Sequence, residues 1–139
     1  MKTLKSHLVC FALLSIFSMQ LSHAQIAYQW QKAYGGSLND GAYSISTTND
    51  GGTIVGGYSY SGISGIKTES AYGLGDYWVL KLDADGNVEW QKTYGGSGLD
   101  VLVQVVQTAD GGYFVGGYSQ SPISGNKTEN SIAGTPDIW

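Results

Sequence analysis

The chain spells "WQKAYGGS" at residues 30–37 and "WQKTYGGS" at 90–97. The likeness does not stop there. Sliding the chain by 60 sets 30–72 over 90–132, and 24 of those 43 positions carry the same residue. Shared positions include Asp40 and Asp100, the turns Asp50-Gly51-Gly52 and Asp110-Gly111-Gly112, and the stretches "VGGYS", "ISG" and "KTE". One extra residue near Ala133 moves the offset to 61, which aligns Asp76 and Trp78 with Asp137 and Trp139. Identity this dense commits both copies to one fold, and a fixed period marks a repeat architecture.

Four short strands are predicted within one period. Residues 42–48, "AYSISTT", alternate and place Tyr43 and Ile45 on one face. "NDGG" then turns the chain, because Asp-Gly supplies the positive φ that a tight hairpin needs. The strand "TIVGGYS" (53–59) follows, its paired glycines marking a place where another backbone comes close. After a long Ser/Gly/Tyr loop come "DYWVLKL" (76–82), the turn "DADGN" and "VEWQKTY" (88–94). Strict alternation in the last strand puts Val88, Trp90 and Tyr94 on one face and Glu89, Gln91 and Thr93 on the other. No stretch beyond residue 24 has a helical period.

Four antiparallel strands per 60-residue period predict an all-β fold of β-propeller blades, since propellers are rings of four-stranded sheets. A solenoid coil would have a shorter period. On this reading 40–94 is a full blade and 95–139 a truncated one. Residues 25–39 are the outer strand of a preceding or closing blade. Trp30, Trp78 and Trp90 serve as packing anchors, and Asp50, Gly51, Gly52, Asp110, Gly111 and Gly112 as structural turn residues. A propeller takes about four blades at least, so the chain is expected to be part of a larger ring. Phe114, Val115, Val101, Val103, Val105 and Val106 of the truncated blade are expected to lack cover.

Residues 1–24 stand apart from this pattern. Lys2 and Lys5 precede an apolar run from Leu8 to Phe17 and a small-residue site at Ser22-His23-Ala24. That is the form of a secretory signal, too short for a stable membrane span, and it predicts a secreted or envelope protein beginning at Gln25. Both histidines and the single cysteine lie in this segment, and the chain has no arginine. Losing Lys2 and Lys5 takes the formal charge from −4 to −6. An acidic surface without arginine repels phosphate backbones, so nucleic acid is excluded as a partner. Without histidine or cysteine the processed chain has neither the base of a nucleophilic triad nor the ligands of a zinc site.

The remaining chemistry is weighed against plain structure. Asp40/Asp100 and Asp76/Asp137 recur once per copy, which favours a structural role, because an active site needs one constellation only. "DADGN" opens like a calcium loop, but its twelfth position is Tyr94 rather than a bidentate Glu, so a local turn is expected. No cofactor is called for. The loop at 60–76, "YSGISGIKTESAYGLGD", and its echo at 120–137 lie on the same rim as "YGGS", opposite the "DGG" and "DADGN" turns. Long loops over a rigid scaffold carry binding. The candidate contacts are Tyr60, Lys67, Glu69 and Tyr72 with Gln120, Lys127 and Glu129, a mix suited to a glycan or a protein ligand. The competing reading makes "ISGxKTE" a structural loop repeated for geometry, which leaves the positions that differ between copies as the better contacts.

The run "YGGSGLDVLVQVVQTADGGYFVGGYS", followed by a strand of the form D-x-W-x-x-K-L-D, resembles the bacterial SBBP-type β-propeller repeat of secreted proteins. It is similar above all to the tandem "WQKTYGG…DGGYIVGGYS" repeats of Bacteroidota exoproteins. The resemblance implies a propeller and an extracellular or envelope location, and it brings no shared catalytic residue. A non-catalytic binding or surface-scaffold module is therefore expected. The alternative is part of a glycan-directed propeller hydrolase whose active site lies in other blades.

Overall fold

The structure, a computed structural model, describes residues 29–139. The signal segment and Gln25 lie outside the described residues. Seven strands follow one another: β1 (Asp40–Thr47), β2 (Thr53–Ser59), β3 (Asp76–Leu82), β4 (Val88–Tyr94), β5 (Asp100–Gln107), β6 (Tyr113–Ser119) and the short β7 (Asp137–Ile138). They form two antiparallel sheets in simple sequential order, β1-β2-β3-β4 and β5-β6-β7. A single turn of 3-10 helix precedes β7, and no α-helix occurs among the described residues. The chain is all-β, and its two sheets are two copies of one meander.

The local signals act as turn chemistry requires. Gly51 and Gly111 take φ of 81° and 87°, and the Asp50 carboxylate accepts from the Gly52 N–H at 3.0 Å. Asp110 holds Gly112 in the same way at 3.1 Å. In the β3–β4 turn Asp83 accepts from the backbone of Asp85 and Asn87, at 2.9 and 2.7 Å. "DADGN" is thus a hairpin turn closed by its own first aspartate. The glycine pair of β2 divides its work. Gly57 lies so close to the Gly41 carbonyl that a Cβ would sit 1.9 Å from the oxygen, while Gly56 makes room for the Leu102 side chain.

β3 is buried along its whole length because both of its faces are covered. One face, with Ile54, Tyr77 and Val79, packs on Leu102 and Val105 of the second sheet. Ser44 ties the two sheets together, donating to the Val105 carbonyl at 3.3 Å and accepting from its N–H at 3.1 Å. The other face carries Trp78, Leu80 and Leu82, over which Trp30, Tyr34 and Ile66 pack. Among the described residues nine apolar side chains are buried, and their burial takes the place of disulfides at about 1.5–3 kcal/mol for each one removed from water.

Residues 30–36 lie over the outer face of the first sheet, outside its ladders. Two expectations change. First, Val88 and Trp90 face opposite ways. The β3–β4 register slips at Glu89, so Val88 joins Trp78 and Leu82 while Trp90 joins Tyr77 and Val79. The bulge sets Glu89 against Lys81 at 2.6 Å. Second, Val105 is buried because its face of β5 packs on the first sheet, where Val115 is half-buried, and Val101, on the other face, is buried too; Val103, Val106 and Phe114 are exposed as expected.

Candidate functional site

The loops between β2 and β3 and after β6 meet the "YGGS" crossings on one rim, as the alternation of strand direction requires. Ser37 and Leu38 donate their backbone N–H groups to Ser64 and Ser61, both at 2.9 Å, and Ile66 N–H reaches the Gly35 carbonyl at 3.0 Å. The later copy repeats each bond: Ser97 to Ser124, Gly98 to Ser121 and Asn126 to Gly95. The opposite rim is held by Lys81, whose ammonium reaches Asp50 at 2.8 Å and Glu89 at 2.6 Å. Burial alone would lower the Lys81 ammonium, but those two carboxylates raise it, and the ammonium in turn, with Thr48 and the Gly52 N–H, holds Asp50 well below the carboxylate range.

Each repeated aspartate staples a loop. Asp40, Asp76 and Asp100 accept from the N–H four residues earlier, Gly36, Tyr72 and Gly96, each at 2.8 Å. Asp137 does the same to Ile132, five residues back, which absorbs the inserted residue. Ser61 and Ser121 donate to Asp40 and Asp100 as well, at 3.2 and 2.8 Å. Asp76 and Asp100 are buried, and one oxygen of each has no hydrogen-bond partner in the protein. Burial pushes the Asp76 carboxyl up, and the charge of Asp100 adds to the effect.

Of the expected contact residues, two are interior. Lys67 is 1 % exposed and its ammonium donates to Thr93 Oγ1 at 2.6 Å and to the Glu69 carbonyl at 2.9 Å, 5.9 Å from the Trp78 ring centre. Burial lowers it from the usual lysine range, opposed by Asp76, Glu69 and Asp40. Lys127 repeats the arrangement over Trp139, donating to the Glu129 carbonyl at 2.8 Å. Both lysines brace their loops from the interior. Their spacing gave no hint of this, because a lysine between Ser/Gly residues reads as solvated.

The other residues reach the surface. Glu69 pairs with Lys92 at 2.7 Å and accepts from Thr93 N–H. Burial would raise its carboxyl, but these partners together hold it low. Tyr60 packs edge-on against Tyr58, ring centres 5.6 Å apart. Tyr72 stays 48 % exposed and leans over Gly125 of the second loop. Gln120 and Glu129 are exposed.

Between the two long loops runs an open groove of about 530 Å³, lined by Ile63, Tyr72, Tyr94, Asn126 and the Glu69–Lys92 pair. Ile63 is 67 % exposed. Asn126 is fixed by accepting from Gly95 N–H at 2.8 Å. Ile63, Lys92, Tyr94 and Asn126 were not legible as site residues. Ile63 sits in a stretch shared by both copies, and Lys92, Tyr94 and Asn126 meet only when the end of β4 is brought beside the second loop. Of the expected contacts Tyr72 and Glu69 line the groove, and Tyr72 is the more exposed of the two.

No family model matches the chain, and no curated protein does.

Proposed function

We propose that the chain is a pair of β-propeller-type blades from an exported protein of the SBBP-like kind, acting as a non-catalytic binding or surface-scaffold module. The single observation behind this reading is the groove between the long loops. It sets an exposed aromatic face and an aliphatic side chain beside an amide and an ion pair, on the end of β4 and on loops stapled to the sheets by Asp76 and Asp100. Flat apolar faces flanked by fixed polar groups suit a sugar ring or a short peptide, because they stack without much loss of side-chain entropy. The "DADGN" and "DGG" turns on the other rim are occupied in holding the hairpins together.

Glycan-array and peptide-panel binding by the purified chain tests the proposal. Tyr72→Ala should weaken a bound ligand roughly 10-fold or more, the loss expected for a central aromatic contact. Tyr43→Ala, on the sheet surface away from the groove, should leave affinity unchanged. Equal losses from both variants, or ligand binding insensitive to Tyr72, would refute the groove. Export is tested separately: mass analysis of secreted material should find Gln25 at the N-terminus, and a retained Met1 would reject it.

A further inference from the structure

The interface between the two sheets has a defined form. Leu102 and Val105 of β5 sit on Ile54 of β2, and a Cβ on Gly56 would lie 2.6 Å from a Leu102 methyl, so Gly56 is the notch that Leu102 fills. Because the chain repeats, each half of this interface exists a second time. On the free face of the second sheet the positions of Ile54 and Gly56 are held by Phe114 and Gly116. Phe114 is 66 % exposed and pairs across the strands with Val106, also exposed. The notch at Gly116 is open, with nothing nearer than the Phe114 ring at 3.8 Å. On the opposite free face of the first sheet the positions of Leu102 and Val105 are held by Ala42 and Ile45, and Ile45 is 70 % exposed.

The two open faces also match in volume. Inside the chain a middle-sized Ile54 meets a middle-sized Leu102. Outside it the larger Phe114 would meet the smaller Ala42, which keeps the summed volume close to that of the packed interface. Exposed aromatic and aliphatic residues on a sheet face, beside an unfilled backbone notch, are surface that water leaves unsatisfied.

We propose that a second copy of the chain docks head to tail, seating Ala42 and Ile45 on the neighbour's Val106, Phe114 and Gly116 in the register that joins β5 to β2. The same operation carries residues 30–34 of the incoming copy to the open edge of the second sheet beside β7, the position that Trp90–Tyr94 hold beside β3 in the first sheet. That edge borders the cleft of about 510 Å³ lined by Tyr77, Val79, Trp90, Tyr94, Tyr113 and Trp139. The interface is heterologous, so the assembly closes into a ring if the rotation divides the circle and otherwise runs on as a filament. This assembly stands on the sheet interface alone and is independent of what the loop groove binds.

Sedimentation and light scattering on the purified chain test it. The unmodified chain should form a discrete oligomer, or an open series of oligomers. Ile45→Asp removes one face and Phe114→Asp the other, so each variant alone should be monomeric. An equimolar mixture should form a one-to-one heterodimer, because one good face survives on each partner. Near-ultraviolet circular dichroism checks that the variants keep their tertiary packing; if an aspartate variant unfolds, Ile45→Ser with Phe114→Ser gives the same comparison. A folded wild-type monomer at tens of micromolar would overturn the proposal. So would single variants that still oligomerise, a mixture that stays monomeric, or aggregation indifferent to both substitutions.

Discussion

Asp76 shows how one buried carboxylate can be both staple and burden. One oxygen accepts from Tyr72 N–H, while the other is buried without a partner, and Gly95 separates it from Asp100 so narrowly that a Cβ there would lie 2.0 Å from Asp76 and 2.8 Å from Asp100. Burial raises this carboxyl, so the folded state holds the proton more firmly than the unfolded chain does. The stability gained by that proton is complete below the ordinary carboxylate range and is lost as pH rises through the raised value. Asp76→Asn keeps the acceptor for Tyr72 and adds an amide donor beside Asp100. It should stabilise the fold by about 1–2 kcal/mol at neutral pH, the scale of satisfying one buried polar atom. The gain should shrink as the medium is acidified below the carboxylate range. Thermal melts of both proteins across that range measure it, and a gain that is flat with pH would mean that Asp76 is not the titrating group. The repeated Asp was readable as structural from recurrence alone. Its missing partner was not, because Asp100 stands 24 residues away.

Among the elements, β4 carries the clearest division of labour. Trp90 packs edge-on against Tyr113 at 5.4 Å and enters the core between the sheets, whereas Gln91 and Thr93 on the reverse face bind Trp78 and Lys67. Trp90→Ala should therefore cost about 2–4 kcal/mol, somewhat below the range for an entirely buried aromatic because part of the ring meets solvent. Denaturant unfolding checks the figure, and a change under roughly 0.5 kcal/mol, the level of exposed positions, would remove Trp90 from the core. Strand alternation assigned Trp90 and Tyr94 to one face, as they are. It misplaced Val88, since a bulge at Glu89 reverses every residue before it. What selects the bulge is Lys81 on the neighbouring strand, a residue paired with Glu89 only after the hairpin has closed.

At the scale of the whole molecule the two sheets share one core, so they should unfold together. Leu102→Ala empties a site buried between them and should cost about 2–5 kcal/mol, with a single transition retained by fluorescence and circular dichroism alike. Two separated transitions would show that each sheet folds without the other. The sequence by itself determined the repeat, the places of β2, β3 and β4, the glycine turns and the common rim of the long loops. Those features rest on signals confined to a few neighbouring residues: alternation, Asp-Gly pairs, an acceptor four positions from its donor. Tertiary structure alone decided which surfaces are covered. Trp30 and Tyr34 close the outer face of β3 through bonds to the Ala84 and Gly86 carbonyls, more than 50 residues ahead. Lys67 turns inward because Thr93 and Glu69 satisfy it there, and Leu102 and Val105 are buried because a second sheet lies beside the first. A side chain carries its own polarity in the sequence, but whether water reaches it depends on which distant segment comes to lie over it.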